Sequence, residues 1–223
     1  MNNELLWILF MIVNFGMILL AYKLFGKVGL FMWIAIAAIL ANVQVLKTVM
    51  LFDHVATLGN IIYGTSFLAT DILSEKHGIK EARKGVFIGM FTLLVTAILM
   101  TISLKFVPDQ SDWVQDSLEN IFGIIPRIAF ASIVAYFLSQ MHDTWAYDFW
   151  KKRNKNIWIR NNVSTAVSQL LDSVVFTFIA FYGMFEKEVF ISILVTTYLF
   201  KFVVAILDTP FIYLAKKINK SVF

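Results

Sequence analysis

The sequence predicts an all-α fold, a polytopic transmembrane helical bundle of six to seven spans. Three observations carry that expectation. Hydrophobic residues make up 59% of the 223, mean hydropathy is +0.76 and only 15% of residues are charged, against about half apolar and about a quarter charged in a soluble domain. The apolar residues lie in blocks of about twenty, the length that crosses a hydrocarbon core. The basic residues gather in alternate connections between those blocks, the bias that orients membrane proteins.

Seven blocks follow in order. The first, about 5–22, comes after Met1-Asn2-Asn3-Glu4, which has no basic n-region and no A-x-A-like cleavage site. It reads as a retained span rather than a signal peptide. The second, about 28–46, contains Ala35, Ala37, Ala38 and Ala41, a small-residue cluster suited to a helix contact. A short connection with Lys47, Asp53 and His54 leads to the third, about 57–75, which carries Asn60, Tyr63, Gly64, Phe67, Asp71 and Glu75 at helical spacing. The fourth, about 84–105, contains Gly85-x-x-x-Gly89, a pattern that lets helices approach closely. The fifth, about 121–141, holds Arg127, Ser132, Tyr136 and Gln140, with Asp143 just beyond. Arg127 is near one end and within snorkelling reach of water. Gln140, His142 and Asp143 read as the start of a loop. The sixth is about 161–184. The seventh, about 189–215, contains Lys201, Asp208 and Pro210, and the proline should kink or end it. Six spans result if the first or last block lies along the interface. No linker, repeat or low-complexity stretch divides residues 1–223, so one domain is expected.

Charge placement orients this bundle. With the N-terminus outside, fourteen basic residues fall in inner connections, from Lys23 and Lys27 through Lys151, Lys152, Arg153, Lys155 and Arg160 to Lys216, Lys217 and Lys220. Lys47, Lys105 and Lys187 fall outside, and the outer connection at 106–120 carries Asp109, Asp112, Asp116 and Glu119. The net charge of +4 and pI near 9.2 are thus a topology signal. They do not point to a nucleic-acid partner; the lipid bilayer is the expected one.

Several chemistries are excluded. The chain has no cysteine, hence no disulfide, thiolate nucleophile or thiolate metal site. Three scattered histidines form no H-x-x-x-H pair, so no metal site is expected. No G-x-x-x-x-G-K-[ST] or G-x-S-x-G motif and no serine–histidine pair occurs. Neither an enzyme nor a bound cofactor is expected.

The polar residues inside the blocks are the candidate site. Arg160–Asp172 reads Arg-Asn-Asn-Val-Ser-Thr-Ala-Val-Ser-Gln-Leu-Leu-Asp. Asn162, Thr165, Gln169 and Asp172 are spaced by three, four and three, which puts them on one helix face. Asp172 lies about 16 Å past Asn161 at helical rise, near the middle of a bilayer. A carboxylate there is costly and marks a substrate path or a buried contact. Lys201 should lie at similar depth, so an ion pair between the two stands beside a ligand role. Asp71 and Glu75 are one turn apart on one face. Such a pair could bind a cation, accept paired N–H donors or carry a coupling proton, although Glu75 also opens the charged run Glu75-Lys76-His77 and so reads equally as a span boundary.

Three stretches carry a family resemblance: Ala41-Asn42 with Lys47 downstream; Phe67-Leu68-Ala69-Thr70-Asp71-Ile72-Leu73-Ser74-Glu75-Lys76-His77-Gly78 followed by Lys80-Glu81-Ala82-Arg83 and Gly89; and Arg160-Asn161-Asn162-Val163-Ser164-Thr165 with Gln169, Asp172 and Phe176. They resemble the queuosine-precursor transporter family, within the wider vitamin-uptake transporter grouping, over most of residues 40–185. His77 stands where that pattern has a tyrosine. The resemblance implies a multi-pass carrier of the bacterial inner membrane that imports a small-molecule 7-deazaguanine: 7-cyano-7-deazaguanine, 7-aminomethyl-7-deazaguanine or queuine. It implies substrate contacts at Asn42, Phe67, Asp71, Glu75, Asn162, Thr165, Gln169 and Asp172. A guanine-type edge presents N1–H and NH₂ side by side to one carboxylate, and Gln169 or Asn42 can meet the ring carbonyl. A cationic aminomethyl group would favour a second carboxylate. A self-standing secondary carrier is expected. The alternative is the substrate-binding membrane subunit of an energy-coupling-factor vitamin importer, and a homodimer or an energising ATPase module both remain open as partners.

Overall fold

The computed structural model describes residues 2–52, 54–123, 125–153, 156–183 and 186–218, with the side chains of Thr48, residues 54–57, 125, 126, 128, 159–161, 189 and 192 outside the description. Asp53, Lys155 and Lys220, and the side chains of His54, Arg160 and Asn161, therefore lie outside the described residues.

Helix α1 (Asn3–Gln44) is followed by a two-stranded antiparallel hairpin, β1 (Thr48–Leu51) and β2 (His54–Thr57), paired Thr48 to Thr57 and Leu51 to His54. Then come α2 (Gly59–His77), α3 (Ile79–Ser103), a single turn α4 (Gln115–Leu118) running into a π-turn (Glu119–Gly123), α5 (Ile125–Arg153), α6 (Ile157–Phe181) and α7 (Lys187–Lys217). The all-α expectation holds apart from the hairpin, which occupies what the sequence suggested was a short connection.

Straight, α1 would be about 63 Å long at helical rise. Instead, Asn3 Nδ2 donates to the Met50 carbonyl at 3.1 Å, and the Trp7 and Phe52 rings lie 6.4 Å apart. The chain must fold back between them. It does so at Gly26, which has φ +56° and ψ −137° inside the helix, a left-handed backbone that glycine adopts without steric cost. The two halves meet so closely that a Cβ on Gly29 would stand 2.1 Å from the Ala21 carbonyl oxygen. The first two apolar blocks are thus two antiparallel helices, split by the turn between Lys23 and Lys27.

Among the described residues, four helical stretches are long and apolar enough to cross a membrane: Asn3–Gln44, Ile79–Ser103, Asn162–Phe181 and Ile193–Lys217. The first of these contains two of the expected spans. Helices α2 and α5 are too polar to qualify by composition, so this count does not by itself reach the six to seven spans expected, and their polarity has a structural reason. Nearly every residue of α2 from Gly59 to Ser74 is buried, including Asn60, Thr65, Ser66, Thr70 and Asp71, so α2 is a central helix shielded from the outside. Helix α5 turns Ser139, Gln140, Asp143 and Thr144 inward. The outer helices expose apolar stripes instead, as with Phe87, Phe91, Leu94 and Ile98 on α3, whose spacing marks one lipid-suited face.

Small residues set the closeness of the packing. A Cβ on Gly85 would stand 2.8 Å from Ile34 Cδ1, and one on Gly89 would stand 2.5 Å from the Tyr136 hydroxyl, so the G-x-x-x-G of α3 admits both α1 and α5. Two expectations need correction. Helix α5 does not end near 141; it continues to Arg153, and Gln140 and Asp143 are fully buried within it, with aromatic residues such as Trp145 and Phe149, stacked at 5.5 Å, extending it. His142 is likewise helical, its Nδ1 2.9 Å from Ser168 Oγ. Helix α7 runs through Pro210 without ending, leaving the Ile206 carbonyl without its helical N–H partner. Arg127 binds the Ile179 and Tyr182 carbonyls at 2.8 Å each and so caps α6.

Candidate functional site

The second half of α1, with α2, α3, α5, α6 and α7, encloses a cavity of about 360 Å³ at the hairpin end of the bundle. That is at the small end of the range of about 300–1,000 Å³ typical of ligand sites. Its walls are largely apolar. Ala37, Ala38 and Ala41 line one side, so the alanine cluster makes room for the cavity as well as for a helix contact. Phe176, Phe181 and Phe200 supply aromatic faces.

The polar centre of the cavity is Asp172. Tyr63 donates from α2 to Asp172 Oδ1, Ser139 donates from α5 to the same oxygen at 3.1 Å, and Lys201 reaches Oδ2 from α7. Asp172 and Lys201 are 2% and 6% exposed, so this is a buried ion pair. Lys201 Nζ also lies 4.6 Å from the centre of the Tyr63 ring, within range of a cation–π contact. The ion pair weighed from the sequence is therefore present, and both partners line the cavity. Two of these helices, α2 and α5, meet again one layer further in: Gln140 Nε2 donates to Ser66 Oγ at 3.1 Å, and Thr70 Oγ1 donates to Gln140 Oε1 at 3.2 Å.

Beyond that layer lies a second polar group. The carboxyls of Asp71 and Asp143 meet at hydrogen-bonding range, with Asp208 and Glu75 as further neighbouring charges. Asp143 also lies against Ser164, Thr165 and Ser168 of α6. At the end opposite the hairpin, Glu75 pairs with Lys216 at 2.8 Å and with Lys151 at 3.9 Å. Lys151 Nζ donates to the Ser74 carbonyl at 2.6 Å, and Lys76 Nζ donates to the carbonyls of Lys216 and Ile218 at 3.1 and 3.0 Å. These bonds tie α2, α5 and α7 together.

The eight residues singled out in the sequence are thus spread over the length of the bundle. Asn42 and Asp172 line the cavity. Phe67 is buried behind its wall, edge-on to Tyr63 at 5.5 Å. Gln169 is buried with neither amide atom hydrogen-bonded, Thr165 stands by Asp143, and Asn162 Nδ2 bonds the Trp158 carbonyl and Thr209 Oγ1 at 2.9 Å each. Asp71 belongs to the second polar group and Glu75 to the closed end. The cavity adds residues outside those eight: Asn60, Tyr63, Ser66, Tyr136, Thr196 and Lys201. Tyr63 and Ser66 were within reach of sequence reasoning, since they lie two turns and one turn before Thr70 on α2.

Comparison with known proteins gives a consistent result. Residues 57–215 match the family model described as "Putative vitamin uptake transporter". Over 220 residues the chain is 47% identical to the "Probable queuosine precursor transporter" of Bacillus subtilis (strain 168), covering 97% of this chain and 96% of that one. It is 27% identical over 188 residues to the "Queuosine precursor transporter" of Escherichia coli (strain K12), covering 83% and 82% of the two chains. It is 28% identical over 159 residues to a "Probable queuosine precursor transporter" of Haemophilus influenzae, covering 70% and 66%. These relatives are named as transporters and not as enzymes. No solved structure matches the chain significantly.

Proposed function

The chain belongs to the queuosine-precursor transporter family, and on that premise we propose that it carries a neutral 7-deazaguanine base, foremost 7-cyano-7-deazaguanine, across the bacterial inner membrane as a self-standing secondary carrier. One observation supports this reading above the rest: Asp172 and Lys201 stand side by side in a small cavity with aromatic walls. A guanine-type edge presents a carbonyl acceptor, then N1–H, then NH₂. An ammonium beside a carboxylate is the complement of that edge. Lys201 turns from Asp172 to the carbonyl, and Asp172 accepts the two N–H groups while Tyr63 and Ser139 keep their bonds to Oδ1. Phe176, Phe181 and Phe200 offer faces to the flat rings, and Asn42 lies within the same wall.

Charge then discriminates among the candidates. The cavity holds one carboxylate, and Lys201 balances it. The second carboxylate that a cationic aminomethyl group would want is not in the wall, because Asp71 and Glu75 lie elsewhere. A neutral nitrile meets no such deficit. Asn162, Thr165 and Gln169 continue the polar route away from the cavity, and Glu75 closes its far end.

In the membrane, α1 contributes two crossings and the other five long helices one each, giving seven crossings by one transport unit. The N-terminus and the hairpin lie outside, since the basic connections fall at the other end. The cavity is then open to the outer half, and the Glu75–Lys216–Lys151 contacts seal the inner half. Purified chain in liposomes, without any ATPase, should exchange labelled 7-cyano-7-deazaguanine against unlabelled base inside. Binding without exchange, with transport restored by an energising ATPase module, would overturn the self-standing reading in favour of the importer subunit.

A further inference from the structure

Asp71 and Asp143 are 1% and 0% exposed. Neither carboxyl receives a hydrogen bond of normal geometry, and among the described residues neither forms an ion pair with Lys, Arg or His. Among the described residues, the charged groups that face Asp71 are acidic: Asp143 from α5, Asp208 from α7 and Glu75 from its own helix. Among the described side chains of α6, the hydroxyls of Ser164, Thr165 and Ser168 approach Asp143. One of them, Thr165 Oγ1, is fully buried, makes no hydrogen bond of normal geometry and lies against Asp143. Two bare carboxylates do not stay in contact in a dry interior. A cation between them removes the conflict. The two carboxyls meet at hydrogen-bonding range, and no group of three or more His, Cys, Asp or Glu that could hold a metal ion occurs among the described residues. A proton fits, because the protonated carboxyl donates to the other.

The pair shares its helices with the cavity. On α2, Tyr63 and Ser66 reach the cavity and Asp71 lies one to two turns on; on α5, Ser139 bonds Asp172 and Asp143 follows one turn later; on α6, Asp172 is two turns past Thr165. The Ser66–Gln140–Thr70 hydrogen bonds span the gap between the two sites. A shift of any of these helices as the base binds must also move the carboxyl pair. We infer that Asp71 and Asp143 form the coupling site of the carrier proposed above, binding one proton from the outer side with each imported base and releasing it inside.

The test uses purified full-length protein in liposomes containing a trapped pH-sensitive dye, with 7-cyano-7-deazaguanine as the probe. In the unaltered protein, adding base outside should acidify the lumen. With the membrane potential clamped at zero by potassium and valinomycin, an imposed gradient of about one pH unit, acid outside, should drive an accumulation ratio of about ten at one proton per base. Asp71→Asn and Asp143→Asn should each lower that ratio to about one while exchange of labelled for unlabelled base continues. Exchange in the unaltered protein with no acidification, or with accumulation driven by a sodium gradient instead, overturns the proton site and leaves the carrier reading intact. Absence of exchange in the unaltered protein overturns the carrier reading, and the coupling site with it. Loss of exchange in both variants alongside acidification in the unaltered protein assigns the protons elsewhere and also overturns the site.

Discussion

Asp172 and Asp71 are both buried carboxylates on neighbouring helices, yet their surroundings are opposite. Asp172 is met by a lysine, a tyrosine and a serine. Asp71 is met by other acids. A carboxylate with its charge balanced and a donor on each oxygen is held in one position, ready to read a donor pattern on a ligand. A carboxylate whose nearest partner is another carboxylate is poised to take up a cation. The difference is one of depth along shared helices: the hairpin end is built to recognise, and the layer beneath it to respond.

Substitutions at the cavity should have the largest effects. Asp172→Asn turns an amide NH₂ towards donors and strands Lys201, whose remaining described partners are the Tyr63 and Phe176 rings. Leaving buried polar groups unpaired costs about 1–3 kcal/mol, so base affinity should fall about ten- to a hundredfold. Breaking one side of a buried ion pair also costs about 3–5 kcal/mol of stability. Adding Lys201→Met should restore the amount of folded protein in the membrane without restoring binding. Recovery of binding in that double variant would make the ion pair purely structural and dissolve the contrast between the two sites.

Lys201→Met alone should be milder, because Asp172 keeps the Tyr63 and Ser139 bonds. Affinity for 7-cyano-7-deazaguanine should drop about tenfold, the worth of about 1.4 kcal/mol, and the aminomethyl base should gain relative to the nitrile. Isothermal titration with both bases checks this. Gly89→Ala sets a methyl against the Tyr136 hydroxyl, and overpacking of this kind costs about 1–3 kcal/mol. Because Tyr136 lines the cavity, base affinity should fall about fivefold together with a lower melting temperature. Glu75→Gln should do least. Its partner Lys216 is 43% exposed, and pairs near solvent contribute about 0–1 kcal/mol. Base binding at equilibrium should stay within about twofold; a large loss there would erase the distinction between the recognition end and the sealed end.

Much of this arrangement could be read from the sequence. The apolar blocks located the helices, and the three–four–three spacing from Asn162 to Asp172 correctly placed four polar residues on one buried face of α6. Periodicity says which face a residue is on but not which partner stands opposite it. Thr165 and Asp172 share a face, yet about 10 Å of helix separates them, and they meet different neighbours. Asp143 looked like the start of a loop because charged and aromatic residues follow it. Only the tertiary contact with Asp71 brings it inside. Helix α2 was legible as a polar helix, but its central position comes from six other helical segments surrounding it. The return of the chain at Gly26 was visible as a break between two apolar blocks, whereas the hairpin after α1 had no alternating pattern strong enough to announce it.

The central claim is that one carboxylate balanced by one lysine selects a neutral base. The most direct measurement is competition binding of 7-cyano- and 7-aminomethyl-7-deazaguanine to the purified protein near neutral pH, where the second is cationic. The account predicts that the nitrile binds at least about tenfold more tightly, a difference of about 1.4 kcal/mol. Equal affinity, or tighter binding of the cationic base, would contradict it.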